Sequence, residues 1–102
     1  MLELRPSCEH CDKDLAPDAR DAMICSFECT FCSECVHAHL ENVCPNCGGG
    51  FQPRPVRPSK PHKAPAYLGE RPASTKRIHR PKDLEAHREF NRDLKKIDPY
   101  YR

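Results

Sequence analysis

The sequence predicts a small α+β head dominated by bound metal, then an extended proline-rich arm and a C-terminal helix. Three observations predict it. All eight cysteines of the 102-residue chain lie between Cys8 and Cys47, in close pairs. That same head offers few large apolar side chains: Leu2, Leu4, Leu15, Met23, Ile24, Phe27, Phe31, Val36, Leu40, Val43 and Phe51. Seven of the eleven prolines then fall between Pro53 and Pro81, a stretch that cannot bury a core. A head this short hides too small a share of its surface to offset the entropy of folding, and such chains lean on disulfides or metal. The expected units are a binuclear metal-binding domain at 1–51, a basic arm at 52–81 and an amphipathic helix at 82–98.

The elements follow in order. Met1–Ser7 reads as a short extended lead-in, with Leu2 and Leu4 alternating against Glu3 and Arg5, and Pro6 ending it. Cys8-Glu9-His10-Cys11 is a tight turn presenting two sulfurs. Ala22–Cys25 and Glu28–Phe31 are β-compatible and predict a hairpin around Cys25 and Cys29. Ser33–Asn42 predicts a short helix, capped by Ser33, with Val36 and Leu40 on one face. Cys44-Pro45-Asn46-Cys47 is a second sulfur-bearing turn, and Gly48-Gly49-Gly50 lets the backbone bend or ends the domain. Prolines with Arg and Lys between them predict a partly polyproline-II arm. A helix is expected from Pro81, with Asp83 and Glu85 in its first turn, an apolar stripe of Ala86, Phe90, Leu94 and Ile97, and Pro99 as its stop.

Metal is the stronger reading of the cysteines. The start, MLELRPSCEHC, holds no apolar run resembling a secretion signal, and no stretch approaches a membrane span. A cytoplasmic setting is therefore expected, where thiols stay free or bind metal. The pattern is C-x2-C-x13-C-x3-C-x2-C-x2-C-x8-C-x2-C. Two sulfurs two residues apart can face one ion, and zinc accepts four thiolates in a closed tetrahedral site, so eight cysteines make two sites. A cross-brace joins Cys8, Cys11, Cys32 and Cys35 on one Zn2+ and Cys25, Cys29, Cys44 and Cys47 on the other. It interlocks both loops and lets one apolar cluster lie between the ions. A sequential pairing stays open, although it leaves two minimal lobes. A nested pairing crowds four ligands from one short segment onto one ion. An iron–sulfur cluster is a further alternative: Cys29, Cys32 and Cys35 copy the start of a ferredoxin run, but Cys44 follows too late. His10, His37 and His39 flank these cysteines and read as exposed residues, since cysteine already fills both shells.

The cysteine spacing resembles that of a RING finger, with Cys29 where many RING domains carry histidine. The likeness implies a treble-clef-like cross-brace zinc domain with one short hairpin and one short helix. Residues 1–50, with ICSFECTFCSECV and VCPNCGG, are also similar to a bacterial family of small cysteine-rich proteins, Domain of Unknown Function 1272. That resemblance implies zinc binding and bacterial origin without an established activity. RING-type ligases usually place an apolar residue in the first C-x-x-C turn, where this chain has Glu9 and His10. They often place a basic residue after the last cysteine, where it has Gly48. Ubiquitin-ligase activity is therefore the weakest of the functional alternatives.

Charge is unevenly spread: −6 over residues 1–51, +8 over 52–82 and 0 over 83–102. The basic arm could hold nucleic-acid phosphates through 52–82, or lie back on its own acidic head. The apolar stripe of the tail could dock on the head or on a protein partner. No Ser/His/Asp set, phosphate-binding glycine loop or H-E-x-x-H run is present. The expected function is a non-enzymatic zinc module for protein–protein interaction, with no small-molecule substrate and no membrane. A nucleic-acid-binding accessory protein is the second reading.

Overall fold

Residues Ala22 to Cys32 fold back on themselves, since short β-compatible runs flank a sulfur-bearing turn. In the computed structural model, which describes residues 1–102, strands β1 (Ala22–Ile24) and β2 (Thr30–Cys32) pair antiparallel, Ala22 facing Cys32 and Ile24 facing Thr30. The second strand starts later than the sequence predicts. Glu28 adopts a left-handed φ of 67° and its N–H closes a turn onto Cys25 O, so pairing resumes only beyond it. A third strand, β3 (Gln52–Pro53), pairs with the other edge of β1, giving the order β2-β1-β3. The sequence places these residues in the arm, because two residues ending in proline carry no strand signal.

The expected helix over Ser33–Asn42 does begin at Ser33, but it widens at Cys35–His39, where Leu40 N–H closes onto Cys35 O, and stops short of Asn42. Ser33 caps nothing; its N–H donates to Asp21 O. The turn ends where Glu41 and Asn42 adopt left-handed φ values of 52° and 58°. Asn42 N–H then reaches back to Val36 O, a C-terminal capping bond. Val36 and Leu40 still share the buried side.

The core joins sulfur to hydrocarbon. Cys8, Cys25, Cys29, Cys32, Cys35 and Cys44 are buried in one cluster with Leu15, Phe31, Val36, Leu40 and Phe51. Phe31 meets Phe51 edge-on at 5.5 Å. Leu4 and Val43 are also buried, whereas Phe27 is 72% exposed at the tip of its turn.

The arm folds back on the head. Arg54, next to β3, is only 4% exposed and donates to Arg5 O at 2.8 Å and Ala16 O at 2.9 Å. Ser74 N–H donates to Leu4 O and Arg80 N–H to Glu9 O. Arg77 pairs with Asp12 at 3.0 Å and Asp14 at 2.7 Å. Opposite charge and idle backbone carbonyls hold a segment whose few large aliphatic side chains, Val56, Leu68 and Ile78, are at most half-buried.

The tail forms α1 (Leu84–Asn91), then single 3₁₀ turns at Leu94–Lys96 and Pro99–Tyr101. Asp83, not Pro81, starts the helix: its carboxylate accepts from the N–H groups of Glu85 and Ala86. The docking face differs from the expected stripe. His87 and Asn91 are buried, His87 Nε2 lying 3.0 Å from Leu40 O and Asn91 Nδ2 donating to Glu41 at 3.0 Å. Phe90 and Leu94 lie along Gly48, where a Cβ would come within 3.3 Å of Leu94. Phe90 stays 47% exposed and Ile97 39%.

Replacing Arg54 by Ala strips the donor from two carbonyls. The variant should lose about 2–3 kcal/mol in urea denaturation at fixed metal concentration. A change below about 0.5 kcal/mol would mean that water satisfies both carbonyls.

Candidate metal centres

The pairs Cys8/Cys11 and Cys44/Cys47 are each delivered by a turn whose backbone bonds fix it. In the first, Cys8 N–H donates to Lys13 O at 2.8 Å and Asp12 N–H to Cys8 O at 3.0 Å. Asp12 adopts a left-handed φ of 64°. In the other, Gly48 N–H donates to Cys44 O and Cys44 N–H to Gly49 O, both at 2.8 Å. Gly48 has φ +79°, where a side chain would be strained.

The turns converge in an interleaved way. The sulfurs of Cys8, Cys11, Cys32 and Cys35 lie within 4.8 Å of one another, as do those of Cys25, Cys44 and Cys47. Cys29 stands outside that second trio, yet belongs to its surroundings. Its sulfur accepts from Asn46 Nδ2 at 3.3 Å, and Asn46 sits between Cys44 and Cys47. Both groups offer sulfurs that could hold a metal ion, Cys11 and Cys47 being the exposed members.

Donor chemistry tests whether a cation fits. Phe27 N–H donates to Cys25 Sγ at 3.3 Å, Asn46 N–H to Cys44 Sγ at 3.4 Å and Gly49 N–H to Cys47 Sγ at 3.4 Å. With the Asn46 bond to Cys29, every sulfur of this group receives an N–H. Such donors suit thiolates and are the outer support usual around thiolate-bound metals. Burial pushes the thiols of Cys29, Cys32, Cys35 and Cys44 up from their ordinary value. Uncompensated charge in that interior is costly, so four thiolates together require a cation. At Cys11 burial acts the same way, but the Lys13 backbone and the sulfurs of Cys8, Cys32 and Cys35 outweigh it and hold that thiol low.

Two neighbours of the first group have roles that sequence reading missed. Glu9 is 3% exposed; its carboxylate accepts from Thr30 N–H at 2.6 Å and Arg5 Nη1 at 2.8 Å. Arg5, four residues earlier, was the only sequence signal for this bond, which ties the first turn to β2. His10 is oriented by the arm, its Nδ1 accepting from Lys82 N–H at 3.0 Å. Neutral His10 then keeps its proton on Nε2, which leaves no lone pair there for a metal. His39 packs against it at 5.7 Å, and His37 is exposed.

Fold and site thus define a class: a small cysteine-rich protein whose thiols form two groups suited to metal ions. Comparison with known proteins supplies the family. Residues 1–57 match the model described as Protein of unknown function (DUF1272), and the chain belongs to that family. It is also 54% identical over 81 residues to an uncharacterized protein of Rhizobium meliloti (strain 1021), covering 79% of this chain and 89% of the relative. A similarity of 81 residues is longer than the 57 of the family match, so it reaches into the arm or tail. No solved structure matches. No helix is long and apolar enough to cross a membrane.

The raised thiol pKa values fix the sign of a pH effect. A thiol held protonated at neutral pH yields its proton only to a cation, so metal loading releases protons and affinity falls as pH falls. Loading each group at pH 7 should release about three to four protons, and since each changes affinity tenfold per pH unit, affinity should drop about 1,000-fold or more from pH 7 to pH 6. Titration calorimetry in buffers of different ionisation enthalpy checks both.

Proposed function

We propose that this protein is a non-enzymatic zinc module. Cys8, Cys11, Cys32 and Cys35 hold one structural Zn2+; Cys25, Cys29, Cys44 and Cys47 hold the other, in a RING-like cross-brace. The head, extended by β3 at Gln52–Pro53, is the folded unit, and the rest of the arm and α1 (Leu84–Asn91) pack on it. One observation carries the reading: seven thiols gather in two groups with Cys29 beside the second, whose four sulfurs each receive an N–H donor. Four sulfurs without other donors suit zinc or an iron–sulfur cluster, and the long interval from Cys35 to Cys44 favours zinc.

Interaction with a protein partner, in the cytoplasm, is the role that follows. Shells filled by thiolate leave no open position for water or substrate. Phe27, Tyr100 and Tyr101 meanwhile present aromatic surface, at 72%, 91% and 83% exposure. Aromatic side chains are enriched where proteins meet. Ubiquitin transfer is not part of this reading, since buried, ion-paired Glu9 stands where RING-type ligases present an apolar contact residue.

Purified protein should be colourless and carry two zinc ions per chain by elemental analysis. Chelation should collapse its dispersed amide spectrum, because metal binding is coupled to folding and contributes about 10 kcal/mol or more of apparent binding free energy per structural site. Cys32→Ala should retain at most one ion and lose dispersion across the head. Metal-free protein with an intact spectrum would falsify the reading; iron with a brown colour would replace zinc by a cluster.

A further inference from the structure

Residues 52–82 carry nine lysines and arginines against Glu70 alone, and the fold sorts them. Arg54 is buried on two carbonyls of the head. Arg57 donates to the carbonyls of Arg71, Pro72 and Leu2. Arg77 is paired with Asp12 and Asp14, and Lys82 Nζ donates to Asn46 Oδ1 at 3.3 Å. Lys60, Lys63, Arg71, Lys76 and Arg80 remain exposed and outside every ion pair.

Three of these share one closed loop. The Arg57 guanidinium ties the start of the loop to its end at Arg71 O, and Leu68 N–H donates to Pro58 O at 2.9 Å. Arg71 N–H turns back onto Tyr67 O at 2.8 Å. Tyr67 packs over Gly69 so closely that a Cβ there would fall 2.4 Å from the ring. Pro58, Pro61 and Pro65 restrict the backbone further. The loop is held by its own contacts and, through Arg57, by Leu2 O of the head. Its cations are presented by an ordered segment, which lowers the ordering cost of binding.

We propose that loop 58–71 is a docking surface for the phosphate backbone of nucleic acid, contacted by Lys60, Lys63 and Arg71. Binding is sequence-independent, because the contacts go to phosphates and stacking surface is small: Tyr67 is half-buried, and only the His62 imidazole is exposed. An anionic membrane fits less well. Stable membrane binding adds apolar insertion to charge, and Leu68, the loop's one large aliphatic side chain, is also half-buried. The surface is independent of which metal the cysteines hold.

Fluorescence anisotropy with labelled duplex DNA and single-stranded RNA tests it on the full-length, metal-loaded protein. Three phosphate contacts predict that duplex affinity falls about 40-fold between 50 and 200 mM salt. The combined variant Lys60→Ala, Lys63→Ala, Arg71→Ala should lose most binding at 50 mM salt and flatten the log–log salt slope by about 2–3. It should keep the wild-type metal content and amide spectrum. Arg88→Ala with Lys96→Ala, on the tail, should change neither affinity nor slope. Absence of wild-type binding at 50 mM salt would overturn the proposal. So would an unchanged slope in the triple variant, or binding to phosphatidylglycerol vesicles with none to nucleic acid. Protein lacking zinc that still binds through these three residues would uphold the loop and count against the zinc reading.

Discussion

Convergence of the cysteine sulfurs is the constraint on which the rest of this structure depends. Sulfurs from separate turns meet in two groups, and six of the eight cysteines are buried. Neutral thiols could pack there as small apolar groups. The N–H donors aimed at the second group, however, suit anions, and several anions this close repel strongly at low dielectric unless a cation sits among them. With a metal in place, each turn is clamped at its sulfurs and Phe31, Val36, Leu40 and Phe51 need only fill the space between. This explains how a sheet of three very short strands and a single wide turn can form the scaffold of a head. Such elements are too brief to hold themselves together.

Polar chemistry extends the head into its surroundings. Buried Glu9 links the first sulfur turn to β2, and the Arg80 N–H reaches the carbonyl of the same residue. Arg54 and Arg77 fix the arm at two places, one through carbonyls and the other through carboxylates. The exposed Arg77 pairs are individually weak. The buried Arg54 bonds matter more, since their loss strands acceptors away from water. An acidic head and a basic arm are thus two sides of one contact, and only part of the arm's charge is left facing outward.

The tail shows the same preference. Its apolar residues do not define the docking face; His87 and Asn91 do, by bonding to Leu40 O and Glu41 at the end of the helical turn. Left-handed Glu41 and Asn42 end that turn just after Leu40, and the tail bonds to the carbonyl and carboxylate there. Arg102 adds donations to Asn42 O and Gly48 O. Arg102 is thereby held against the second sulfur turn, while Tyr100 and Tyr101 face solvent.

Local spacing determined much of this by itself. The sulfur turns, the hairpin, the buried Val36 and Leu40, and a helix past Pro81 were all legible, because each depends on residues within a few positions of one another. The sequence also marked the cysteines as metal-directed and the arm as unable to form a core. Only the tertiary structure decided which sulfurs meet, that Gln52–Pro53 adds a strand, that Glu9 and Arg54 are buried, and which cations of the arm stay free. Those outcomes depend on partners far apart in the chain, Arg5 O for Arg54 and Asp12 for Arg77 among them. A charged side chain reads the same in sequence whether its partner is a distant carbonyl or water, so the fold alone could separate the two.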